Sequence, residues 1–569
     1  MKKTGEWHFD LTFSAQGRTI TAPTEPMNDD KDKTAMGWST ISLPAMQIEA
    51  HFGDRLVPVF RERPRSIWQM VAEAAARNPD GEAIVFGAQR LSWREVARQA
   101  SAIAAGLREL GLRPGDRLAV LIGNRTEFVL TLYAAAQLGL VGVLLSTRLQ
   151  KPEIAYMLTD CGAVAIVHDS TLAERLPDAA DVPALRHRIA VSDDGPAPTL
   201  AQLAERAPLG DATPVGEDDT ALIMYTSGTT GRPKGAMLSH GNIVHSSMIY
   251  EACMELTAAD RSIAAVPLAH VTGVIANVMA MARCAGALII VAEFKAAEYL
   301  RIAARERVTQ TIMVPAMYNL CLLQADFDSH DLSAWRIGGY GGAPMPIATI
   351  EKLASKIPGL KLINAYGATE TTSPSTIMPP ELTAAHSDSV GFACPGATIV
   401  VMDDQGREVP RGEVGELWIH GGSVIKGYWN KPEATAESFT GGYWHSGDLG
   451  SIDEDGFVRV FDRKKDMINR GGHKIYSAEV ESVLAAHDDI LESAIIAKPC
   501  PVLGERVHAV VVPRNGAIDV EALRAWCAAR LSDYKVPESV TVSRDPLPRN
   551  ANGKVLKKQL REVLSRELA

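Results

Sequence analysis

The residues best equipped for chemistry lie in one stretch, Tyr225-Thr-Ser-Gly-Thr-Thr-Gly-Arg-Pro-Lys-Gly-Ala-Met-Leu-Ser-His240. Gly228, Gly231 and Gly235 leave backbone amides unobstructed and permit positive φ. Thr226, Ser227, Thr229 and Thr230 add hydroxyl donors, and Lys234 adds a positive charge. Amides, hydroxyls and a cation in one loop suit an oligophosphate. The loop is not a Walker A, because Lys234 follows Pro233 and precedes Gly235 where that motif needs Ser or Thr. The apolar run at 221–224 reads as a buried strand and a helical pattern resumes at Gly241, which puts the cluster on a turn where a strand ends.

Further stretches carry reactive or ligand-binding types. Pro267-Leu-Ala-His270-Val-Thr-Gly273 follows an expected strand at 262–266; a lone His such as His270 is more often a packing residue than a functional one. Gly338-Gly-Tyr-Gly-Gly-Ala-Pro344 ends an expected strand at 335–337, and its glycines would let a flat ring approach backbone. In Asn364-Ala-Tyr366-Gly-Ala-Thr369-Glu370-Thr371 an aromatic at a strand end can cover a base. The Thr and Glu beyond it can reach phosphate and a hard cation, which takes oxygen ligands. Asp448, after the turn at 442–447, carries a carboxylate able to accept two hydroxyls. Asp462-Arg-Lys-Lys-Asp466 is a charged run, Gly471-Gly-His-Lys-Ile475 a glycine turn expected to head a helix capped by Ser477 with Glu481, and Asn552-Gly553 a tight turn preceding Lys554.

In this order and at these distances the stretches resemble the adenylate-forming enzymes: acyl- and aryl-CoA synthetases, peptide-synthetase adenylation domains and beetle luciferases. The resemblance covers roughly residues 65–565. It implies that Thr226, Ser227, Gly228, Thr229, Thr230 and Lys234 bind the phosphates of ATP, that Gly341, Gly342, Ala343 and Tyr366 contact adenine, and that Thr369 reaches phosphate. It places Mg2+ on Glu370 with Thr226, the ribose on Asp448 and Arg463, the hinge of a rotating C-terminal domain at Lys465, and the catalytic lysine at Lys554. His270 would border the carboxylate site, and the loop with Gly472 and Lys474 would meet coenzyme A. Ser477 stands where the family often has Pro.

The elements that must hold these residues alternate. Helix (66–78), strand (82–87), helix (91–110), strand (117–122), helix (127–138) and strand (141–145) lead to further strands at 164–167, 288–291, 311–314 and 360–363. This pattern predicts an α/β fold with doubly wound, mostly parallel sheets. The expected organisation is an N-terminal extension (1–40), a large domain with an added β-rich part (41–464) and a small mobile α/β domain (465–569). Trp7, Phe9, Leu11 and Phe13 alternate as a strand would.

The chain has 569 residues, 46% hydrophobic and 22% charged, with a net charge of −10 and no long basic run, which argues against nucleic acid as a partner. Seven scattered cysteines without CxxC pairs argue for a reducing, cytoplasmic compartment and against structural zinc. The apolar region at 271–292 is interrupted by Asn277 and Arg283, so it reads as core and not as a transmembrane segment. Whether the chain forms a homodimer is left open.

The resemblance implies an ATP-dependent acid:CoA ligase using ATP, Mg2+ and coenzyme A. Small residues at Ala269, Thr272, Gly273 and Gly339, without an evident basic residue, point to a medium- or long-chain fatty acid or a bulky cyclic acid. The alternatives are an aryl acid, a carrier protein as acyl acceptor, a luciferase-like oxidation, and an inert nucleotide binder. Retention of Glu370, Asp448 and Lys554 argues against the last.

Overall fold

The computed structural model describes Trp38 and residues 41–192, 198–226, 232–343, 345–549 and 555–567. The expected strand at Trp7–Phe13, the loop residues Ser227, Gly228, Thr229 and Thr230, and Lys554 lie outside the described residues.

Two large sheets carry the fold. The first is six-stranded, in the order Lys234–Ser239, Thr220–Thr226, Val141–Leu144, Arg117–Leu121, Ala165–His168, His187–Ala190, and is parallel apart from its first strand. The second is nine-stranded and parallel from Lys361–Tyr366 through Ile337–Tyr340, Gln310–Met313, Arg261–Ala264 and Ala287–Ile290 to Glu82–Phe86, with antiparallel strands at both edges. Helix Thr126–Leu138 is buried along its whole length, as its all-round apolar sequence requires, and belongs to a core that draws residues from both sheets.

Local chemistry sets the helix starts. Ser92 caps Trp93–Glu109 with a reciprocal bond from Glu95, and Ser239 with Asn242 does the same for His240–Cys253. The expected helix at 91–110 begins later, because Gln89–Ser92 pairs as an edge strand with Glu82–Phe86.

The region at 271–292 is core, as expected, but Thr272–Met279 is π-helical. The fully buried Asn277 explains part of this. Its amide donates to the Thr272 carbonyl at 3.3 Å and its oxygen accepts from Ser262 Oγ at 3.0 Å, so the wider turn is tied to the sheet. A five-stranded, largely antiparallel sheet (Thr398–Met402 to Val458–Arg463) supplies the β-rich part. The small C-terminal sheet pairs Ile490–Cys500 with Gly504–Pro513, and helix Lys557–Glu567 packs on it.

Among the described residues no helix is long and apolar enough to cross a membrane. All seven cysteines are unpaired and buried.

Candidate active site

Two paired strands flank the expected phosphate loop. Strand Thr220–Thr226 runs antiparallel to Lys234–Ser239, with Thr226 opposite Lys234. The expected strand is present and the helix expected from Gly241 starts at His240, but a second strand, Lys234–Ser239, stands before it where only a turn was expected. The second strand bonds outward as well: Trp429 N donates to Gly235 O at 2.7 Å and Met237 N to Gly427 O at 3.1 Å. This brings segment 425–429 across the hairpin and delivers Tyr428, which sequence reasoning missed.

Glu370 stands at the meeting point. Its Oε1 accepts from Thr226 Oγ1 at 3.0 Å and from Tyr428 Oη at 3.0 Å, and the residue is 8% exposed. Burial pushes the Tyr428 phenol up, and the neighbouring Glu370 carboxylate adds to this, so the hydroxyl remains a donor. The Lys234 ammonium lies 5.0 Å from the centroid of the Tyr428 ring. Glu370 Oε2 takes no protein hydrogen bond among the described residues. One buried carboxylate at the end of strand Thr220–Thr226 fits a magnesium ion completed by phosphate oxygens and water better than an all-protein cage. No group of three metal-ligating side chains occurs among the described residues.

A second cluster adjoins the first. Tyr366 ends strand Lys361–Tyr366, and its hydroxyl donates to Asp448 Oδ2 at 2.6 Å. Arg463 is the cross-strand partner of Asp448, and its Nε reaches Asp448 Oδ1 at 2.7 Å while Nη1 donates to Ser446 O at 3.1 Å. Burial works against the Arg463 charge, but Asp448, Tyr366 and Glu370 together keep its pKa above the usual value. Burial and then Asp448 hold the Tyr366 phenol far above its ordinary range. Each Asp448 oxygen thus has at least one protein donor, and a carboxylate oxygen can accept more than one hydrogen bond. Thr369 opens the short 3-10 turn Thr369–Thr371 between the two clusters.

The glycine segment is shifted from its expected place. The strand is Ile337–Tyr340, so Gly338 and Gly339 lie within the sheet. A Cβ on Gly339 would stand 2.5 Å from Ile312 Cγ1, which makes this glycine a packing requirement. Gly341 passes so near the Ala365 carbonyl that a Cβ would be 2.4 Å from its oxygen, and Gly342 has φ +76°. Gly341, Gly342 and Ala343 therefore follow the strand end, and this strand pairs with the one that ends in Tyr366.

The reading of Gly273 as a pocket wall is also corrected. A Cβ there would meet Pro267 O at 2.2 Å and Leu268 Cα at 2.7 Å, so the glycine seats the π-helix on the preceding turn. His270 belongs to that turn: its N–H donates to Pro267 O at 3.1 Å and its carbonyl accepts from Val274 N at 2.8 Å. His270, Ala269 and Thr272 are half-buried.

Lys465 is exposed on the turn that joins Val458–Arg463 to Ile468–Arg470, where Asp466 N and Met467 N both donate to Arg463 O at 2.9 and 3.1 Å. Gly472 and Lys474 sit on a hairpin, strands Ile468–Arg470 and His473–Ile475, and the helix expected near Ser477 follows it. The expected Ser477/Glu481 cap is absent. Ser477 opens helix Ser477–Ala485, its N–H is taken by the Asp462 carboxylate, and Glu481 accepts from Ile495 N at 2.7 Å instead. The chain on either side of residues 550–554 is pinned by the Arg549–Val555 bridge and by Leu556 N donating to Pro548 O at 2.8 Å.

Known proteins resemble this chain over most of its length. The AMP-binding enzyme family matches residues 71–429, and the AMP-binding enzyme C-terminal domain matches residues 479–554. The chain is 37% identical over 491 residues to a feruloyl-CoA synthase of Amycolatopsis sp, covering 86% of this chain and 96% of that one. It is 33% identical over 508 residues to the long-chain-fatty-acid--CoA ligase FadD13 of Mycobacterium tuberculosis, covering 88% and 99%. Its fold is similar to o-succinylbenzoate CoA synthetase (MenE) of Bacillus subtilis in complex with ATP and magnesium ion, with a TM-score of 0.78, 29% identity, and 87% and 99% of the chains covered. The family match and the relatives show that the chain belongs to the adenylate-forming acyl-CoA synthetase superfamily.

Proposed function

We propose that the protein is an AMP-forming acid:CoA ligase that activates a fatty or aryl carboxylic acid as its adenylate and then passes the acyl group to coenzyme A. The observation that carries this reading is the convergence on Glu370 and Asp448 of residues from four separate segments, Thr226, Tyr366, Tyr428 and Arg463, with Lys234 over the Tyr428 ring.

A carboxylate is a poor acyl donor because its leaving group would be oxide. Attack of the carboxylate oxygen on the α-phosphorus of ATP forms the acyl–phosphate bond and expels pyrophosphate; attack of a thiol on the acyl carbon then expels AMP. The first step brings two anions together, so the site must supply positive charge at the phosphorus and at the departing pyrophosphate. Lys234, on the hairpin, and Lys554 are the protein's sources. Glu370 would hold magnesium through Oε2, and the ion would add charge along the phosphates.

Asp448 receives the ribose hydroxyls, oriented by the Tyr366 hydroxyl and the Arg463 guanidinium, while the Tyr366 ring and the Gly341–Ala343 backbone flank adenine. Thr369 reaches the α-phosphate, and Ser227, Gly228, Thr229 and Thr230 wrap the outer phosphates. His270 borders the acid carboxylate, with Ala269 and Thr272 beside it.

The chain works as two units, 41–464 and 465–569, turning about Lys465. One orientation brings Lys554 to the phosphates; the other brings the Gly472–Lys474 hairpin to coenzyme A. The seven unpaired thiols support a cytoplasmic location.

A screen of CoA-dependent AMP formation over fatty acids of graded length and over aryl acids tests the reading. Lys554→Ala should suppress adenylate formation by about 10²- to 10⁴-fold and spare thioester formation from a synthetic acyl adenylate. AMP formation without any dependence on coenzyme A would point instead to a different acyl acceptor.

A further inference from the structure

Asp462 is the last residue but one of strand Val458–Arg463, ahead of the turn at 464–466, yet its carboxylate binds beyond that turn. Oδ1 accepts from Arg463 N at 2.7 Å, and Oδ2 accepts from Ser477 N at the first turn of helix Ser477–Ala485. Asp462 is 8% exposed and Ser477 is fully buried. The N-cap residue Tyr476 supplies no side-chain cap, so this carboxylate meets the first amide and the positive end of the helix. Beside it, the Phe461 and Tyr476 rings stack at 5.3 Å between centroids.

A cation completes the group. Lys557 Nζ donates to Ser477 Oγ at 2.5 Å and pairs with Glu481 at 2.7 Å. Burial pushes the Glu481 carboxyl up, Lys557 pulls it down, and Asp462 adds to the upward push, so the two carboxylates and the ammonium feel one another. Lys557 opens helix Lys557–Glu567, and Arg561 of the same helix reaches Asp466 at 3.0 Å. The helix that follows Lys554 is therefore tied both to Ser477–Ala485 and to the hinge turn.

Resting on the ligase reading above, we propose that Asp462 is a positioning residue that latches the C-terminal unit in the orientation seen here. Asp462 precedes the turn and Ser477 follows it, so any rotation of the chain at 464–466 must break their bond. In this orientation Gly471, Gly472, His473 and Lys474 are exposed, and none of them donates or accepts a hydrogen bond across to the large unit among the described residues. The latch thus favours the orientation for adenylation and is released before the hairpin is presented to coenzyme A. A plain helix cap would support both half-reactions alike; a latch changes their ratio.

The test uses the full chain carrying Asp462→Asn, which keeps the shape and one acceptor and removes the charge, with Lys557→Met as a second variant that leaves Asp462 and Glu481 facing each other without a cation. Three rates are read: pyrophosphate release with acid and ATP, thioester formation from synthetic acyl adenylate and coenzyme A, and tryptic cleavage at Lys464 and Lys465 of the free enzyme. The expected result is adenylation lowered about five- to tenfold, thioester formation unchanged or faster, and cleavage several-fold faster. Equal loss of both half-reactions, or cleavage at the wild-type rate in both folded variants, overturns the proposal. Wild-type enzyme that forms adenylate but never thioester would count against the ligase reading alone, and the cleavage rates would still decide the latch.

Discussion

Thr226 Oγ1 and Glu370 Oε1 lie 3.0 Å apart although 144 residues separate them in sequence. The bond joins the phosphate hairpin of one large sheet to the turn that follows a strand of the other. Position along the chain carries no hint of it, and it fixes where a cation would stand relative to the phosphates. Glu370→Gln keeps an acceptor for Thr226 and Tyr428 and removes the charge. Adenylate formation should fall by roughly 10²- to 10³-fold, and more magnesium should be needed for half-maximal rate. Titration of pyrophosphate release with magnesium reads both effects, and an unchanged magnesium requirement would remove Glu370 from the cation site.

Tyr366→Phe keeps the ring proposed to cover the base and leaves Asp448 Oδ2 without its 2.6 Å donor. A hydrogen bond to a carboxylate at a site of this burial contributes about 1 to 2 kcal/mol, so ATP affinity should weaken roughly five- to thirtyfold. The KM for the acid should stay near wild type. Equilibrium binding of ATP to the variant checks the first, and steady-state kinetics the second.

Residue types alone offered Tyr366 as a ring at a strand end, Asp448 as an acid after a glycine turn, and the run around Arg463 as a charged linker; the family resemblance assigned the three to one nucleotide, and the structure brings them together. Tyr428 was not legible, because it reaches Glu370 through the backbone pairing of 425–429 with strand Lys234–Ser239, a partnership that no periodicity encodes. The Ser477 cap failed for a related reason: a distant carboxylate, Asp462, outcompetes a local side chain for the helix amides. Small residues misled as well, since a glycine that opens a pocket and a glycine that lets two backbones touch are the same letter.

Gly273 is the test of that last distinction. With Pro267 O only 2.2 Å from the position of a Cβ, Gly273→Leu must displace backbone, and overpacking of this kind costs about 1 to 3 kcal/mol or more. The variant should show a lowered unfolding midpoint and poor yield, with an unchanged order of preference among acids in the fraction that folds. A well-folded variant with preference shifted to short acids would restore Gly273 to the pocket wall.

Two buried histidines give the protein an acid limit. Burial lowers His240 to about 4 and His245 to about 3 from the ordinary 6.5, with Arg63 adding to the effect at His245. Their folded pKa values lie below the unfolded one, so the unfolded chain binds more protons as pH falls below 6.5, and the native state loses stability until the folded groups titrate. Between pH 7 and pH 5 each should cost about 2 kcal/mol. Urea unfolding midpoints at the two pH values measure the loss, and a stability that held constant or rose over that interval would show that both rings already carry protons in the fold.

Lys465→Pro addresses the hinge itself. Lys465 is exposed on its turn, while Lys464 N donates to Gly447 O at 2.8 Å and so holds the residue before it. Proline at 465 would fix its own φ and bias Lys464 away from the helical region, which locks the turn in whichever shape the chain folds into. Since the orientation seen here leaves the Gly472–Lys474 hairpin exposed, adenylation should persist while thioester formation from synthetic adenylate drops by roughly 10²-fold, the penalty of a misplaced reacting group. Asp462→Asn is expected to do the reverse, slowing adenylation and sparing the thioester. Two substitutions within a few residues of each other should therefore split the same pair of reactions in opposite senses, and a common loss in both would mean that this turn holds the two units together without being the axis on which they move.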